Sequence, residues 1–340
     1  MRLHEVDPGN PDREMLARRR VLQLGSGGAV VSLLAALAAC KNDDQSPLAN
    51  TPTPTPTGTS TPFATGTPTI QALSDNDLLV LMLQLTYLQG EFYSRAVLGV
   101  PLPATLVGAG AGTVNGPRQV TFATDALGDM FREIAFEKID QVTRLRGLLG
   151  AAAVARPALN LDVTDGGAFT QIARAATIVT GSATFDVYAS ENLFLLGAFV
   201  LEDITTGAYK GVLPLCQASA IIVPLGGLLG TSAQHTAMVR TQIYLRGLTS
   251  GSTLRQNAIR LSDARDSYDS SLDDDQGVSG GTATAPTSVA NITNADGEGL
   301  IYGRPPQLTV NVVYLTRAIA TAGGFFPSGL TGAIATSAAT

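Results

Sequence analysis

The chain has 340 residues, of which 45% are hydrophobic and 15% charged, and its formal net charge is −6. This length and apolar content suffice to bury a sizeable core, in one large domain or two small ones. Beyond the first twenty residues there is no cluster of Lys and Arg of the kind that nucleic-acid binding requires. Nucleic acid is therefore excluded as an expected partner.

Residues 1–40 are predicted to be an export signal rather than part of a folded domain. A basic run over residues 18–20 precedes an apolar stretch from Val21 to Ala39, and small residues lead to Cys40. The basic run resembles a twin-arginine signal, and the "LAAC" that ends at Cys40 resembles a bacterial lipoprotein cleavage site. A lipid on Cys40 would hold the protein on a membrane of the cell envelope, on the periplasmic face or the outer surface. A plain secretory signal and an uncleaved membrane anchor are the alternatives.

Residues 41–73 are rich in Pro and Thr and nearly free of large apolar side chains. Such a segment cannot bury enough surface to offset its ordering entropy, which predicts a disordered linker between anchor and domain. In a chain that matures at Cys40, Cys216 is the one remaining thiol, so no disulfide is expected within the mature chain. Its apolar helical surroundings favour a buried core position for Cys216.

Apolar residues at helical spacing begin directly after Ser74, which is a suitable N-cap. Four long helices are predicted, with a kink at Pro224 in the fourth. The predicted helices cover about 74–99, 124–150, 167–179, 185–211, 215–247 and 252–270, before a long loop over 273–303 and a final segment. None of the long helices is apolar enough to cross a membrane. The pattern indicates an all-α fold, with a four-helix bundle over 74–250 and a C-terminal extension of helices and loops over 251–340 that packs on it.

Each of the four long helices carries a candidate metal ligand. In chain order the candidates are Glu91, then Glu137 with Asp140, then Glu202, and finally His235. In a four-helix bundle, inward acids with a His three residues on build carboxylate-bridged di-iron or di-manganese sites. The metal ions offset the cost of burying the acids. The joint pattern therefore favours a metal centre inside the bundle.

Each candidate also has a simpler interpretation. Glu91 is spaced to pair with Arg95 one helical turn later. Glu137 and Asp140 belong to a charged stripe of the kind that usually faces water. His235 lies among Leu, Met and Val, where a core histidine bonded to a hydroxyl is common. These alternatives remain open from the residues alone.

Several stretches resemble ferritin-like proteins related to the plant desiccation-associated proteins and their bacterial counterparts. The stretches are "LLVLMLQLTYLQGEFYSRAVLG", "FVLEDITTGAYKG", "QHTAMVR" and "GRPPQLTVNVVYLTRAIATAGGFFPSGLTG". The resemblance covers about residues 74–332, and Glu91, Glu137 and Glu202 match the family's ligand positions. It implies a ferritin-like bundle, iron or manganese as the metal, and a role in oxidative or desiccation stress.

Two positions depart from that family pattern. Asp140 stands where a His is expected, and Ser232 where a Glu is expected, while His235 is retained. The set is short of one carboxylate and one imidazole, so a partly degenerate or empty site is also consistent with it.

The sequence supports two alternative functions. The first is an exported, membrane-anchored protein that binds a divalent metal and acts in stress protection. The second is a non-catalytic cell-surface structural or interaction protein with a vestigial metal site. Enzymatic activity and protein partners are left undecided.

Overall fold

The computed structural model describes residues 73–270, 274–279, 289–296 and 298–340. The predicted leader, its lipidation residue Cys40 and the linker up to residue 72 lie outside the described residues. The residues that the structure describes form one compact unit, which is mainly helical.

The predicted helices occur in the predicted order, and a short helix and two short strands that were not predicted occur in addition. The helices are α1 Asp75–Tyr93, α2 Ala104–Val107, α3 Asp125–Leu149, α4 Ala168–Ala175, α5 Glu191–Val212, α6 Ser219–Arg246, α7 Leu254–Asp269 and α8 Pro306–Tyr314. Short helical turns of other types cover Ser94–Leu98, Gly150–Ala152 and Leu213–Leu215, and two strands, β1 and β2, cover Val114–Asn115 and Leu159–Asn160.

The four long helices α1, α3, α5 and α6 form a bundle. Helix α1 packs along α3, α5 packs along α6, and the two pairs meet where α1 contacts α5 and α3 contacts α6. A long crossover joins α3 to α5. It contains β2, which pairs in parallel with β1 from the segment that precedes α3. The all-α bundle is therefore confirmed. Within the described ranges, no helix is long and apolar enough to cross a bilayer.

Local capping chemistry sets where the helices begin. Ser74 caps α1 in a capping box with Asp77, as the sequence indicates. Helix α5 begins at Glu191, later than predicted, because the Ser190 side chain accepts a hydrogen bond from the Leu193 N–H and so fixes the first turn there. The fourth long helix, α6, is one continuous helix that includes Pro224. The predicted kink at Pro224 stays a prediction.

A buried network of arginines and aspartates joins the C-terminal extension to the bundle; we call it the arginine network. Its members are Asp203, Arg240, Arg265, Asp269, Asp275 and Arg304, and all of these side chains are almost fully buried. Asp203 on α5 accepts hydrogen bonds from Arg240 on α6 at 2.7 Å and from Arg265 on α7 at 2.8 Å. Asp275 accepts from Arg265 at 2.7 Å and from Arg304 at 3.0 Å. Because a buried charge is costly unless paired, these contacts hold the extension against α5 and α6.

Asp266, on α7 beside this network, has a strongly perturbed acidity. Its carboxylate accepts the backbone N–H of Asp275. Burial first, and then the negative charge of Asp275, raise the pKa of Asp266 from 3.8 to about 8. Between these two values the folded chain keeps a proton on Asp266 that the unfolded chain releases. The contribution of Asp266 to the free energy of unfolding therefore falls as the pH rises through this window.

We expect Asp266→Asn to remove this pH-dependent loss, because an amide does not titrate and its oxygen still accepts the Asp275 N–H. The difference in unfolding free energy, variant minus wild type, should increase from about pH 5 to about pH 9. Urea unfolding across that range measures it. Gln256→Asn, at an exposed position of the same helix, changes no titratable group; it is the control and should show no such increase. A pH-independent difference for Asp266→Asn would contradict the prediction.

Candidate functional site

Glu91 is fully buried on α1 and is held by two guanidinium groups. Its Oε2 accepts a hydrogen bond from Arg95 Nε at 2.6 Å, and its Oε1 accepts one from Arg156 in the segment after α3. The pairing with Arg95 that the spacing indicated is therefore present, but Glu91 lies in the interior and not on an exposed stripe. Both of its oxygens are engaged by cationic side chains.

Glu202 is fully buried on α5 and forms an ion pair with Lys138 on α3. Lys138 Nζ donates to Glu202 Oε2 at 2.9 Å, and neither side chain has any exposed surface. Burial lowers the pKa of Lys138, while the negative charges of Glu202 and Glu137 act in the opposite direction. The 2.9 Å contact with the Glu202 carboxylate is the observation that supports the charged form of Lys138, a cation that the chain itself places inside the bundle.

Tyr93, also fully buried, lies beside this pair. Burial, and then the carboxylate of Glu202, raise the pKa of Tyr93 well above its usual value. The phenol therefore stays protonated at any physiological pH. On the next turns of α5, the hydroxyl of Tyr209 lies 3.3 Å from that of Thr86 on α1, so polar contacts continue along the interior of the bundle.

His235 on α6 contacts Glu137 on α3. The distance between His235 Nε2 and Glu137 Oε2 is 2.6 Å, with the imidazole almost fully buried and 23% of the carboxylate side chain exposed. The partner of this histidine is therefore an acid at the edge of the bundle, and not the hydroxyl of the simpler interpretation. The other ring nitrogen, Nδ1, has no hydrogen-bond partner among the described residues.

The inward face of α3 differs from the predicted one by one residue. Lys138 and Gln141 are buried, whereas Glu137 is half-buried and Asp140 is exposed. One residue is about 100° of rotation on a helix, so Glu137 and Asp140 cannot both point inward together with Lys138 and Gln141. We therefore correct the assignment of Asp140 to the interior. On α6 the predicted face is the observed one, since Ser232 and His235 are both buried.

The interior positions can now be compared with the di-metal pattern of four-helix bundles. That pattern has one Glu on each of two helices and Glu-x-x-His on each of the other two. Glu91 and Glu202 supply the single acids here. The paired positions instead read Lys138-x-x-Gln141 on α3 and Ser232-x-x-His235 on α6.

These residues do not fit a two-metal centre. The acids Glu91 and Glu202 are bound by Arg95, Arg156 and Lys138, and neither Gln141 nor Ser232 supplies the missing carboxylate. Across the part of the chain that the structure describes, no three or more His, Cys, Asp or Glu side chains are grouped so as to hold a metal ion. The liganding of iron or manganese by the five candidate residues stays a prediction.

The sequence reasoning missed Lys138 and Gln141, although a signal for them was present. The buried positions of α3 recur every three or four residues, and Lys138 and Gln141 fall on that apolar series. Arg156 gave no such signal, because it reaches Glu91 from a segment outside the four long helices.

Two comparisons with known proteins cover this bundle. A family model described as "Ferritin-like domain" matches residues 74–245, about half of the chain and nearly all of the four long helices. A relative, the ferritin-like catalase Nec2 of Nesocodon mauritianus, is 24% identical over 271 residues, which cover 77% of this chain and 85% of that protein. The matches support the ferritin-like part of the sequence resemblance. The more specific link to desiccation-associated proteins stays a prediction.

We expect Lys138→Met to destabilise the protein strongly, because it leaves the Glu202 carboxylate buried without its cation. Loss of one partner of a buried ion pair costs about 3–5 kcal/mol. The double variant Lys138→Met/Glu202→Leu removes both charges and should recover most of that loss. Urea unfolding at neutral pH measures both free energies. If Lys138→Met were as stable as the wild type, the ion pair would not be needed to compensate Glu202.

Proposed function

We propose that this chain, which belongs to the ferritin-like domain family, is an exported, membrane-anchored protein in which Lys138 takes the place of a metal ion. Its role at the cell envelope is non-catalytic: it supports structure or binds other proteins. The observation that carries this proposal is the 2.9 Å ion pair between Lys138 and Glu202, both fully buried. This contact uses a lysine at a position where the di-metal pattern requires a ligand.

The electrostatic repulsion between a metal ion and the Lys138 ammonium group supports the first proposal. A divalent ion about 4 Å from an ammonium group would be repelled by roughly 8 kcal/mol at an effective dielectric constant of about 20. Metal binding would thus require Lys138 to lose its proton or to move out of the bundle. Glu91 would also have to exchange Arg95 and Arg156 for the metal. In the described arrangement the acids already have the charge compensation that metal ions otherwise provide.

The second candidate is a protein that binds iron or manganese at this site, with a role in oxidative or desiccation stress. A specific observation favours it: the Gln141 amide, the Ser232 hydroxyl and His235 Nδ1 are buried without hydrogen-bond partners among the described residues. Each such group costs about 1–3 kcal/mol if it stays unsatisfied. A bound ion or ordered water would satisfy them. The relative named above is a catalase by name, and peroxide removal would be the corresponding activity here.

The metal content of the wild type and of two variants distinguishes the two candidates. Each variant carries Glu-x-x-His on α3, and the two motifs differ in position by one residue. The wild type, produced with excess iron and manganese, should contain far less than one ion per chain by elemental analysis. Lys138→Glu/Gln141→His creates Glu-x-x-His on the inward face of α3. We expect this variant to retain metal, and an ion at about 100 times its Kd should then add about 2.7 kcal/mol to the free energy of unfolding.

The matched control is Asp140→His, which creates the same motif with Glu137 but one residue out of register. It should not gain stoichiometric metal, because position 140 is exposed. The proposal fails if the wild type retains near-stoichiometric iron or manganese that both His235→Ala and Glu202→Gln abolish. Oxygen release from hydrogen peroxide by that metal-loaded wild type would establish the second candidate.

The membrane anchor rests on the sequence of the leader, and Cys40 is its testable residue. We expect Cys40→Ser to move the protein from the membrane fraction to the soluble fraction, since the lipid has no other attachment site in the proposal. Cys216→Ser is the matched control, because that thiol is buried and donates to the Val212 carbonyl. Immunoblots of cell fractions measure the distribution. Retention of Cys40→Ser in the membrane with the leader still attached would indicate an uncleaved anchor instead.

A further inference from the structure

A short segment of the C-terminal extension, residues 274–279, lies directly on α7; we call it the strap. Gly277 allows the close approach, because a Cβ at that position would lie 2.5 Å from the Ile259 Cα on α7. Two strap residues are buried, Asp275 with 1% and Val278 with 0% of its surface exposed. The strap is therefore seated in the fold and is not a surface loop.

The strap supplies hydrogen-bond acceptors to all three arginines of the arginine network. The Asp275 carboxylate accepts from Arg265 and from Arg304. Two backbone carbonyls of the strap accept from Arg240 Nη2, at 2.7 and 3.2 Å. Departure of the strap would remove these acceptors from three buried guanidinium groups at once. The strap therefore determines how firmly the C-terminal extension is held on α5 and α6.

Beside this network, Asp266 on α7 is an additional buried acid. The three arginines of the network form ion pairs with its three acids, which are Asp203, Asp269 and Asp275. Asp266 instead accepts the backbone N–H of Asp275 with its two oxygens, at 3.1 and 3.3 Å, and is 5% exposed. Three cations balance three carboxylates, so an ionised Asp266 would be a buried negative charge in excess. A proton on Asp266 removes that excess.

The other groups packed on α7 leave this charge balance unchanged. Helix α4 also contacts α7, and its one charged residue, Arg174, pairs with an exposed acid outside the helix. Helix α8 has no charged residue, and its one titratable group is Tyr314. Tyr302, before α8, stays neutral because burial raises the pKa of its phenol. Asp274 of the strap adds further negative charge, so the surroundings favour the protonated form of Asp266.

We propose that the strap is a pH-dependent latch, which leaves α7 together with the release of one proton from Asp266. In the closed state Asp266 is protonated and accepts the Asp275 N–H. When the strap leaves, Asp266 meets water, ionises and gives its proton to the solvent. Low pH therefore holds the strap closed, and a rise in pH favours its departure.

Two pKa values set the range over which the latch responds. Burial, and then the charge of Asp275, raise the pKa of Asp266 from 3.8 to about 8 in the closed state. The side chain returns to the lower pKa when it is released. Between the two values each opening releases one proton, so the opening equilibrium should rise about tenfold per pH unit. Above the higher value the closed state has lost the proton as well, and the dependence levels off.

Hydrogen exchange of the Asp275 amide in the full-length chain tests the latch. Its protection factor, which corrects for the intrinsic pH dependence of exchange, should fall about tenfold per pH unit from about pH 5 to about pH 8. In Asp266→Asn the protection factor should stay level over that range, because the amide oxygen still accepts the N–H and the side chain does not titrate. Gln256→Asn, at an exposed position of α7, is the control and should keep the wild-type slope.

Gly277→Ala separates the seat of the strap from its response to pH. The added Cβ would meet the backbone of α7, so the protection of the Asp275 amide should be lower at every pH while its slope is unchanged. The amide of Ala135, buried on α3, should be better protected than that of Asp275 at each pH, because the latch opens without unfolding of the bundle.

Three results would overturn the proposal. The first is a wild-type protection factor of Asp275 that does not depend on pH. The second is equal protection of Asp275 and Ala135, since the strap would then open only when the whole chain unfolds. The third covers the case in which Asp266→Asn does not fold: carbon NMR of the wild-type Asp266 carboxyl group would show titration at its ordinary pKa of 3.8 and not at about 8. None of these results depends on metal content or on Lys138, so they are separate from the test of the proposed function.

Discussion

The ammonium group of Lys138 and the carboxylate of Glu202 meet where four helices come together, out of contact with water. An unpaired charge in that place would cost several kcal/mol, so each member requires the other. The requirement sets the rotation of α3, because a turn of one residue would bring Glu137 inward and move Lys138 out. It also sets the distance between α3 and α5. Arg95 and Arg156 likewise form ion pairs with Glu91. Both interior acids, Glu91 and Glu202, are therefore compensated by the chain's own side chains.

Helix α5 distributes charge to two sides of the molecule. Glu202 points into the bundle and contacts α3, while the adjacent Asp203 points to α6 and α7 and contacts Arg240 and Arg265. Neighbouring positions on a helix are about 100° apart, so two consecutive acids can serve two different buried networks. The C-terminal extension therefore belongs to the same compact unit as the bundle. Helix α5 therefore supplies a carboxylate both to the ion pair inside the bundle and to the arginine network that holds the C-terminal extension.

Much of the fold could be predicted from the sequence, because its determinants are local. The cap at Ser74 and the apolar residues at helical spacing define the long helices to within several residues, although the cap at Ser190, which starts α5 later than predicted, was not foreseen. The pair Glu91–Arg95 was also predictable, since its members are one turn apart. The candidate site was predictable only in part. On α3 the acids Glu137 and Asp140 were the candidate inward residues, with a solvent-facing stripe as the alternative, and Lys138 was not considered, whereas the fully buried charge is Lys138.

The reason for that failure is physical and not statistical. Whether a lysine is buried depends on a carboxylate on another helix, Glu202, and this contact joins residues far apart in the chain. The guanidinium of Arg156 likewise reaches Glu91 from outside the four helices. Helical periodicity gives the relative positions of residues on one helix, but it does not state which partner will compensate a charge. The periodicity of α3 therefore indicates that Lys138 lies on the buried face, but it does not identify Glu202 as the carboxylate that compensates its charge.

The first turn of α1, capped by Ser74, also has a mechanical consequence. A pull transmitted through the chain that precedes Leu73 reaches the fold at the first turn of α1. There the Asp75 carboxylate holds the N–H groups of Gln217 and Ala218, and Ser74 and Asp77 close the adjacent turn. The load is thus shared between the beginnings of α1 and α6 before α1 can unwind. The place where the N-terminal segment enters the fold is for that reason bonded to two helices rather than one.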